Sequence, residues 1–174
     1  MKTILLLRHA KSAWSDARLN DHERPLNRRG EQAAKALADH LVQHGPRPDL
    51  ILCSTATRTR QTLAPLIKRL GAPAPPLSLE DGLYLAPEGS LLARLQAIPD
   101  DVSTVLLVAH NDGIWQLAEV LAGRGPAASL AALREKYPTG TLAVLQIPTG
   151  PWRDLAAGSG ELVAFIRPRD LMRG

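Results

Sequence analysis

The apolar run TILLLRH at Thr3–His9 ends in an arginine and a histidine. A short, continuous apolar run of this kind is typical of a strand that is buried on both faces of a parallel sheet. A second run at Ser103–Ala109 stops in the same way at His110. In open α/β sheets, ligands bind in the crevice outside the carboxyl ends of the strands. The repetition therefore predicts that two strand ends direct histidines toward one pocket.

A third apolar run, Leu50–Ser54, is followed by Arg58 and Arg60 at the start of a helical pattern. Arginine carries a permanent charge on a planar fork that donates two hydrogen bonds to a phosphoryl group. Three strand ends with two histidines and several arginines thus indicate a site for a phosphoryl group. For Arg60 alone, we expect a solvated position on the helix surface.

The composition is that of one ordinary globular domain, which we place at residues 1–174. Apolar residues make up 45% of the chain and charged residues 22%. The formal net charge of +4 favours anionic ligands in general. Nucleic acid is not indicated, because aromatic residues make up only 3% and no basic stripe is interleaved with them. We expect a phosphorylated protein or a small phosphorylated substrate as the partner.

Cys53 is the single cysteine, so an intrachain disulfide is excluded. It lies inside an apolar run, where we expect a small buried hydrophobe rather than a nucleophile. The N-terminal apolar run is too short for a signal peptide or a membrane span, and we predict no association with a membrane. A reducing cytoplasm is the simplest setting for such a protein.

Strand patterns alternate with helical patterns along the chain. This alternation predicts an α/β protein, with a mostly parallel central sheet between two layers of helices. Only Pro148–Gly160 separates the last two strands, which predicts an antiparallel hairpin at one edge of the sheet. The predicted strands are Thr3–Arg8, Asp49–Cys53, Leu77–Leu79, Thr104–Ala109, Gly140–Ile147 and Glu161–Arg167, and the predicted helices are Arg28–His44, Thr57–Leu70, Glu88–Ala97, Gly113–Ala122 and Ala127–Glu135.

These residue types support phosphoryl transfer through a covalent intermediate. His9 can attack phosphorus through one ring nitrogen if a backbone carbonyl holds the other nitrogen. Arg8 and Arg58 would clamp the phosphoryl oxygens. His110 would add a further donor if it were protonated, which a dianionic ligand favours. The polar segment Lys11–Arg29 follows the first strand directly, and loops of this length are often functional.

Several motifs together resemble the histidine phosphatase superfamily, and most closely its SixA-type phosphohistidine phosphatase branch. They follow the family order over nearly the whole chain. The similar stretches are LLLRHAKS at Leu5–Ser12, DHERPLNRRG at Asp21–Gly30, CSTATRTRQT at Cys53–Thr62, VAHNDG at Val108–Gly113 and YPTGTLA at Tyr137–Ala143.

The resemblance implies a three-layer α/β/α fold of the phosphoglycerate mutase type, with neither metal nor organic cofactor. It implies that His9 is the phosphorylated nucleophile, and that Arg8, Arg58 and His110 complete the phosphate pocket. Asn111, which follows His110 directly, is also expected to bind the substrate. Ala10 replaces the usual glycine of the first motif, which is tolerable where its φ is negative.

Two further positions are implied by comparison with larger relatives. Ser15 stands where phosphoglycerate mutase relatives carry a phosphate-binding asparagine, so it is assigned to substrate binding. Asp81 is the best positional counterpart of their general acid, with Glu80 next to it. The short link Gly71–Pro76 replaces the insertions that build a lid in those relatives, which predicts an open pocket.

The sequence thus predicts a metal-independent phosphatase with a phosphohistidine intermediate on His9. Phosphohistidine on a protein is the favoured substrate, because a nitrogen leaving group departs without a strong acid. One alternative is a phosphatase of small phosphomonoesters. Another is a phosphate-binding or phosphoprotein-binding module of weak activity.

Overall fold

The computed structural model describes residues 1–172 and contains one mixed sheet of seven strands in the order β3-β2-β4-β1-β6-β7-β5. Strands β3, β2, β4 and β1 run parallel to one another, while β6 is antiparallel to both β1 and β7. The strands are β1 (Lys2–Arg8), β2 (Leu50–Ser54), β3 (Leu77–Glu80), β4 (Thr104–Ala109), β5 (Ala122–Arg124), β6 (Leu142–Ile147) and β7 (Gly160–Ile166).

Helices connect the parallel strands. The two longest begin and end at the residues that the sequence predicts, because their capping signals are local: the side chain of Asn27, for example, accepts a hydrogen bond from the amide of Gly30. The helices are α1 (Arg28–His44), α2 (Thr57–Leu70), α3 (Glu88–Gln96), α4 (Gly113–Leu121), α5 (Ala127–Glu135) and α6 (Pro168–Leu171), with 3₁₀ turns at Asp21–Glu23, Asp81–Leu83 and Trp152–Asp154.

Alternate residues of the central strands pack into two separate apolar layers, one on each face of the sheet. In β1, Ile4 and Leu6 pack into the layer under α3, α4 and α5. Leu5 and Leu7 point to the opposite face, which α1 and α2 cover. A continuous apolar run is needed because both faces of the strand are buried. The expected three-layer α/β/α sandwich is confirmed.

The hairpin of β6 and β7 is antiparallel as predicted, but it lies one strand inside the edge of the sheet. The three-residue strand β5 pairs in parallel with β7 and forms the edge itself. The sequence analysis missed both β5 and the four-residue helix α6, because neither is long enough to show a period.

The packing brings three strand ends together at one side of the sheet. β1 lies beside β4, with Arg8 opposite Ala109, and β4 lies beside β2, with Val108 opposite Cys53. The residues that follow these strands therefore meet at the carboxyl edge. Cys53 itself is fully buried, and burial raises the pKa of its thiol to about 12. Within residues 1–172, no helix is both long and apolar enough to cross a membrane.

Candidate active site

A cavity of about 510 Å³, open to solvent, lies at the carboxyl ends of β1, β2 and β4. We call it the strand-end cavity. Its lining combines the residues that follow β1 and β4 with others from the segment between β1 and α1, a predominantly cationic set. The lining residues are Arg8, His9, Lys11, Ser12, Trp14, Asp21, Arg24, Arg58, Leu85, His110, Asn111 and Thr139.

His9 is held in one orientation. Its Nδ1 lies 2.7 Å from the carbonyl oxygen of Ala10. A carbonyl only accepts, so Nδ1 carries the proton and Nε2 keeps its lone pair when the ring is neutral. Burial lowers the pKa of His9 to about 4, and the cations of Arg58 and Arg8 add to the effect. At neutral pH the ring is therefore an uncharged nucleophile.

His110 lies against His9, with 5.3 Å between the ring centroids. Its Nε2 is 2.8 Å from Oγ of Ser54 at the end of β2. Burial lowers the pKa of His110 to about 3, and the neighbouring His9 and Arg58 contribute. The ring is thus neutral by itself, and its protonation requires the added negative charge of a bound dianion.

Two arginines, Arg8, which is half-buried, and Arg58, which is buried, line the same cavity. Arg8 donates through Nη1 to the carbonyl oxygen of Tyr137 at 2.9 Å, and burial lowers the pKa of its guanidinium. Arg58 is 3% exposed and bonds to Asp21. Among the residues that the structure describes, the buried Nε atoms of Arg8 and Arg58 have no protein acceptor. Unpaired buried donors of this kind suit an anion, which accepts hydrogen bonds and neutralises the charge.

Asp21 is the carboxylate in the lining. Its Oδ2 accepts from Arg58 at 2.9 Å and from the hydroxyl of Tyr84, while Oδ1 accepts from Arg24. Burial by itself would raise the pKa of Asp21, but the hydrogen bonds from Tyr84, Arg58 and Arg24 outweigh it and hold the pKa well below its usual range. Asp21 is therefore ionised at neutral pH and orients Arg58.

Arg24 connects the hydrogen bonds around Asp21 with the outer rim of the strand-end cavity. It is 8% exposed and donates to Oγ of Ser12 at 2.9 Å. Its guanidinium lies 3.4 Å from the centroid of the Trp14 ring, a cation–π contact. Trp14 is 77% exposed and forms an aromatic part of the rim of the strand-end cavity.

Backbone contacts hold the end of β1 in place. The amide of Ala10 donates to Oγ1 of Thr62 at 2.9 Å. The amide of Gly140 donates to the carbonyl oxygens of Arg8 and His9, at 3.1 and 2.8 Å. Of the non-glycine residues within 1–172, only Leu85 has a positive φ. Ala10 therefore replaces the family glycine without backbone strain.

Comparison with known proteins shows which family shares this sequence and this fold. The model of the histidine phosphatase superfamily (branch 1) matches residues 4–84. An uncharacterised protein of Mycobacterium tuberculosis is 41% identical over 165 residues, which are 94% of this chain and all of that protein. The structure named as the phosphohistidine phosphatase SixA of Nakamurella multipartitia is similar to this chain, with a TM-score of 0.82 and 35% sequence identity over 96% of each chain. A second, from Agrobacterium tumefaciens, has a TM-score of 0.81 and 33% identity over 96% of this chain and 98% of that one.

The chain belongs to the SixA-type branch of the histidine phosphatase superfamily. The resemblance inferred from the sequence motifs is thus confirmed, and the chain is a phosphatase of this superfamily. Arg8, His9, Arg58 and His110 all line the strand-end cavity, as the motifs predict for a histidine phosphatase. Asn111 lines it too, with Nδ2 donating to the carbonyl oxygen of Tyr137 at 3.2 Å.

The position of Asp81 does not fit the role of general acid. Asp81 is exposed, does not line the strand-end cavity, and accepts a hydrogen bond from Thr55 at 2.6 Å. Glu80 also lies outside the lining and pairs with Arg94, whose hydrogen bond lowers the pKa of the carboxyl. Asp81, in the 3₁₀ turn, and Glu80, the last residue of β3, thus have their partners outside the lining that contains the two histidines.

Ser15 does not fit its assigned role either. It is exposed and lies outside the lining, where Trp14 contributes instead. Arg60 is exposed and bonds the carbonyl oxygen of Thr55, which agrees with the solvated position expected for it. The substrate-binding role of Ser15 is therefore not supported by its placement.

Sequence reasoning missed the residues that support the arginines, which are Ser12, Trp14, Asp21, Arg24 and Tyr84. A signal was available for three of them, because Ser12 ends the family-like stretch LLLRHAKS at Leu5–Ser12. The stretch DHERPLNRRG at Asp21–Gly30 is one of the motifs that resemble the family, so its first carboxylate and its arginine were candidates. Tyr84 gives no such signal, because its contact with Asp21 joins distant segments of the chain.

Proposed function

We propose that this chain hydrolyses phosphohistidine on a protein, through a phosphorylated intermediate on His9. The proposal rests on the ionisation state of the carboxylate that lines the strand-end cavity. Within residues 1–172, Asp21 alone among the acidic side chains lines the strand-end cavity, and it is held ionised by two arginines and a tyrosine. The site therefore has a nucleophile and a cationic cradle but no protonated carboxyl for a leaving group.

The first step is attack by the Nε2 lone pair of His9 on phosphorus. A bond forms between Nε2 and phosphorus, and the bond between phosphorus and the substrate nitrogen breaks. Arg8 and Arg58 hold the phosphoryl oxygens as charge spreads over them. The hydrogen bond from Nδ1 to the carbonyl of Ala10 keeps the ring oriented and stabilises the positive charge that it gains.

The leaving group decides which substrates suit this site. The imidazole of a phosphohistidine departs as a neutral ring once its other ring nitrogen, the one not bonded to phosphorus, has taken a proton from solvent. A sugar or serine alkoxide needs a proton from a well-placed acid as the bond breaks. Asp21 is ionised at neutral pH, so it has no proton to give. The site favours a phosphorus–nitrogen bond over an alkyl phosphoester.

The second step regenerates the enzyme. Water attacks phosphorus, the bond to Nε2 breaks, and inorganic phosphate leaves with the water oxygen. His9 returns to its neutral form, since its low pKa disfavours the protonated ring. An opening to solvent lets water reach the phosphorylated ring after the dephosphorylated protein departs.

The test is a comparison of purified wild type with His9→Ala. Both are incubated with a histidine-phosphorylated protein, phosphoramidate and a panel of small phosphomonoesters. Wild type should turn over the phosphorus–nitrogen substrates with the higher kcat/KM, and His9→Ala should lose all turnover. Acid-free mass analysis after a brief incubation should find the added phosphoryl group on the peptide that contains His9.

Three results would contradict the proposal in different ways. Retained turnover in His9→Ala removes this residue from the mechanism. A higher kcat/KM for small phosphomonoesters in the wild type supports the alternative of a small-molecule phosphatase. Phosphate binding without turnover of any substrate supports the binding-module alternative.

A further inference from the structure

A second cavity, of about 840 Å³, adjoins the strand-end cavity and shares Lys11 and Thr139 with it. We call it the cationic groove. Among the described residues 1–172, its lining contains four cations and no acidic side chain. The lining residues are Lys11, Arg28, Arg29, Gln32, Ala33, Thr139, Pro168, Arg169 and Met172.

One wall of the cationic groove is fixed to the loop that follows His9. A Cβ atom on Gly30 would lie 2.1 Å from the carbonyl oxygen of Lys11, so only glycine permits this approach of α1. The amide of Asn27 also donates to that oxygen, at 3.0 Å. The first turn of α1, with Arg28 and Arg29, is therefore held beside the strand-end cavity.

The other wall is fixed through Gly140. Its amide bonds the carbonyl oxygens of Arg8 and His9, and its φ is +77°. A Cβ atom at this position would lie 2.9 Å from Cγ of Pro168, the first residue of α6. Arg169 follows directly in α6. The close approaches at Gly30 and Gly140 thus hold the first turns of α1 and α6 beside the loop that carries His9.

Within residues 1–172, the four groove cations pair with no carboxylate. Seven arginines elsewhere in residues 1–172 form ion pairs with carboxylates. Lys11, Arg28, Arg29 and Arg169 form none within that range. Asp170, which follows Arg169, already pairs with Arg167. All four groove cations are exposed.

We infer that the cationic groove docks an acidic surface of the phosphorylated protein, next to the phosphohistidine that enters the strand-end cavity. The inference rests on the proposed function and names a property of its substrate. Complementary charge steers association and sets the register of a complex. An extended acidic surface fits better than a second phosphate, because the groove cations are exposed and spread over two helices and a loop. A discrete phosphate site needs buried donors that converge on one point.

The first test uses two synthetic peptides that each carry a phosphohistidine, flanked by glutamates in one and by glutamines in the other. The enzymes are wild type, the double variant R28Q/R29Q and the control R134Q/R153Q, which removes the same charge from exposed positions outside the groove. In R28Q/R29Q, KM for the glutamate peptide should rise about fivefold, since each exposed ion pair is weak. Its kcat and the turnover of the glutamine peptide and of phosphoramidate should stay unchanged.

Salt should abolish the preference of the wild type for the glutamate peptide, because exposed charges are screened. An equal rise of KM in R134Q/R153Q would show a general effect of net charge and overturn the inference. An unchanged ratio between the two peptides in R28Q/R29Q would overturn it as well.

A binding measurement separates this inference from the proposed function. Fluorescence anisotropy follows binding of the unphosphorylated glutamate peptide to His9→Ala, where no chemistry occurs. Binding that R28Q/R29Q or Arg169→Gln weakens supports docking, even if wild type fails to hydrolyse the phosphohistidine peptides. Equal affinity for the glutamate and glutamine peptides overturns docking, even if both phosphopeptides are hydrolysed.

Discussion

Arg58 donates two hydrogen bonds to Asp21, one from Nη2 to the carboxylate at 2.9 Å and one from Nη1 to the backbone carbonyl at 2.6 Å. The arginine lies in the first turns of α2, and the aspartate lies in the 3₁₀ turn before α1. This contact holds the planar fork of Arg58 in the lining of the strand-end cavity, which also contains the two histidines. It also keeps Asp21 ionised. The same pair therefore orients the Arg58 guanidinium and leaves the Asp21 carboxylate without a proton to donate.

Asp21→Asn should lower kcat/KM about tenfold or more, because a misplaced clamp loses much of the benefit of positioning. The loss should be equal for phosphoramidate and for an alkyl phosphoester, whose alkoxide leaving group needs a proton. Steady-state assays with both substrates measure it, and Asp81→Asn is the matched control, with unchanged activity expected. A loss confined to the phosphoester would instead identify Asp21 as a proton donor.

Stability should depend on pH through His9. Its pKa is about 4 in the folded protein and about 6.5 in an unfolded chain, so between these values the unfolded state binds more protons. The stabilising contribution of the neutral ring is fully present above pH 6.5 and is lost as the pH falls toward 4. From pH 7 to pH 5 the loss should be about 2 kcal/mol.

Urea unfolding at these two pH values measures the effect, with His9→Asn as the variant that lacks the titrating ring. The free energy of unfolding of the variant should fall less steeply over the same interval. Equal slopes in the two proteins would show that His9 has the same pKa in both states, which contradicts its burial as the cause of the shift.

Tyr137→Phe should separate stability from activity. The Tyr137 hydroxyl is buried and donates to the carbonyl oxygen of Leu6 at 2.5 Å, while its backbone carbonyl accepts from Arg8. Removal of the hydroxyl leaves a buried carbonyl without that donor and should cost about 1–3 kcal/mol. The contact with Arg8 uses the backbone, so kcat/KM should change less than twofold. Thermal unfolding and phosphoramidate turnover measure the two effects, and a large loss of turnover at a temperature where the variant is folded would contradict this division.

Gly30→Ala should destabilise the fold by about 1–3 kcal/mol, the usual cost of an added methyl group in a packed site. Its Cβ would lie 2.1 Å from the carbonyl oxygen of Lys11, so α1 or the loop after β1 must move. Gly89→Ala in α3 is the matched control, because its Cβ would meet nothing within 4 Å. That variant should gain up to about 1 kcal/mol from helix propensity. Chemical unfolding measures the free energy of unfolding of both variants. An unchanged value for Gly30→Ala would show that α1 or the loop after β1 moves without cost.

Much of the fold could be predicted because its signals are local. The bounds of α1 and α2 follow from periodic apolar residues and from nearby caps and glycines, such as Asn27 and Gly45. The continuous apolar run of β1 predicts burial on two faces, and the structure has that burial. Strand β5 was not predicted, because its three residues are too few to show a periodic apolar pattern. The hairpin was therefore assigned to the edge that β5 occupies.

The sequence by itself determined the α/β class, the buried strands and the histidine or arginine that follows each strand end, because these depend on residues close together in the chain. Only the tertiary structure decided which carboxylate meets the arginines. Asp81 follows β3 directly yet faces Thr55, whereas Asp21 comes from a loop without periodicity and reaches Arg58 and Tyr84. A side-chain contact between distant segments depends on how loops pack across the end of the sheet, and residue spacing along the chain does not encode that packing.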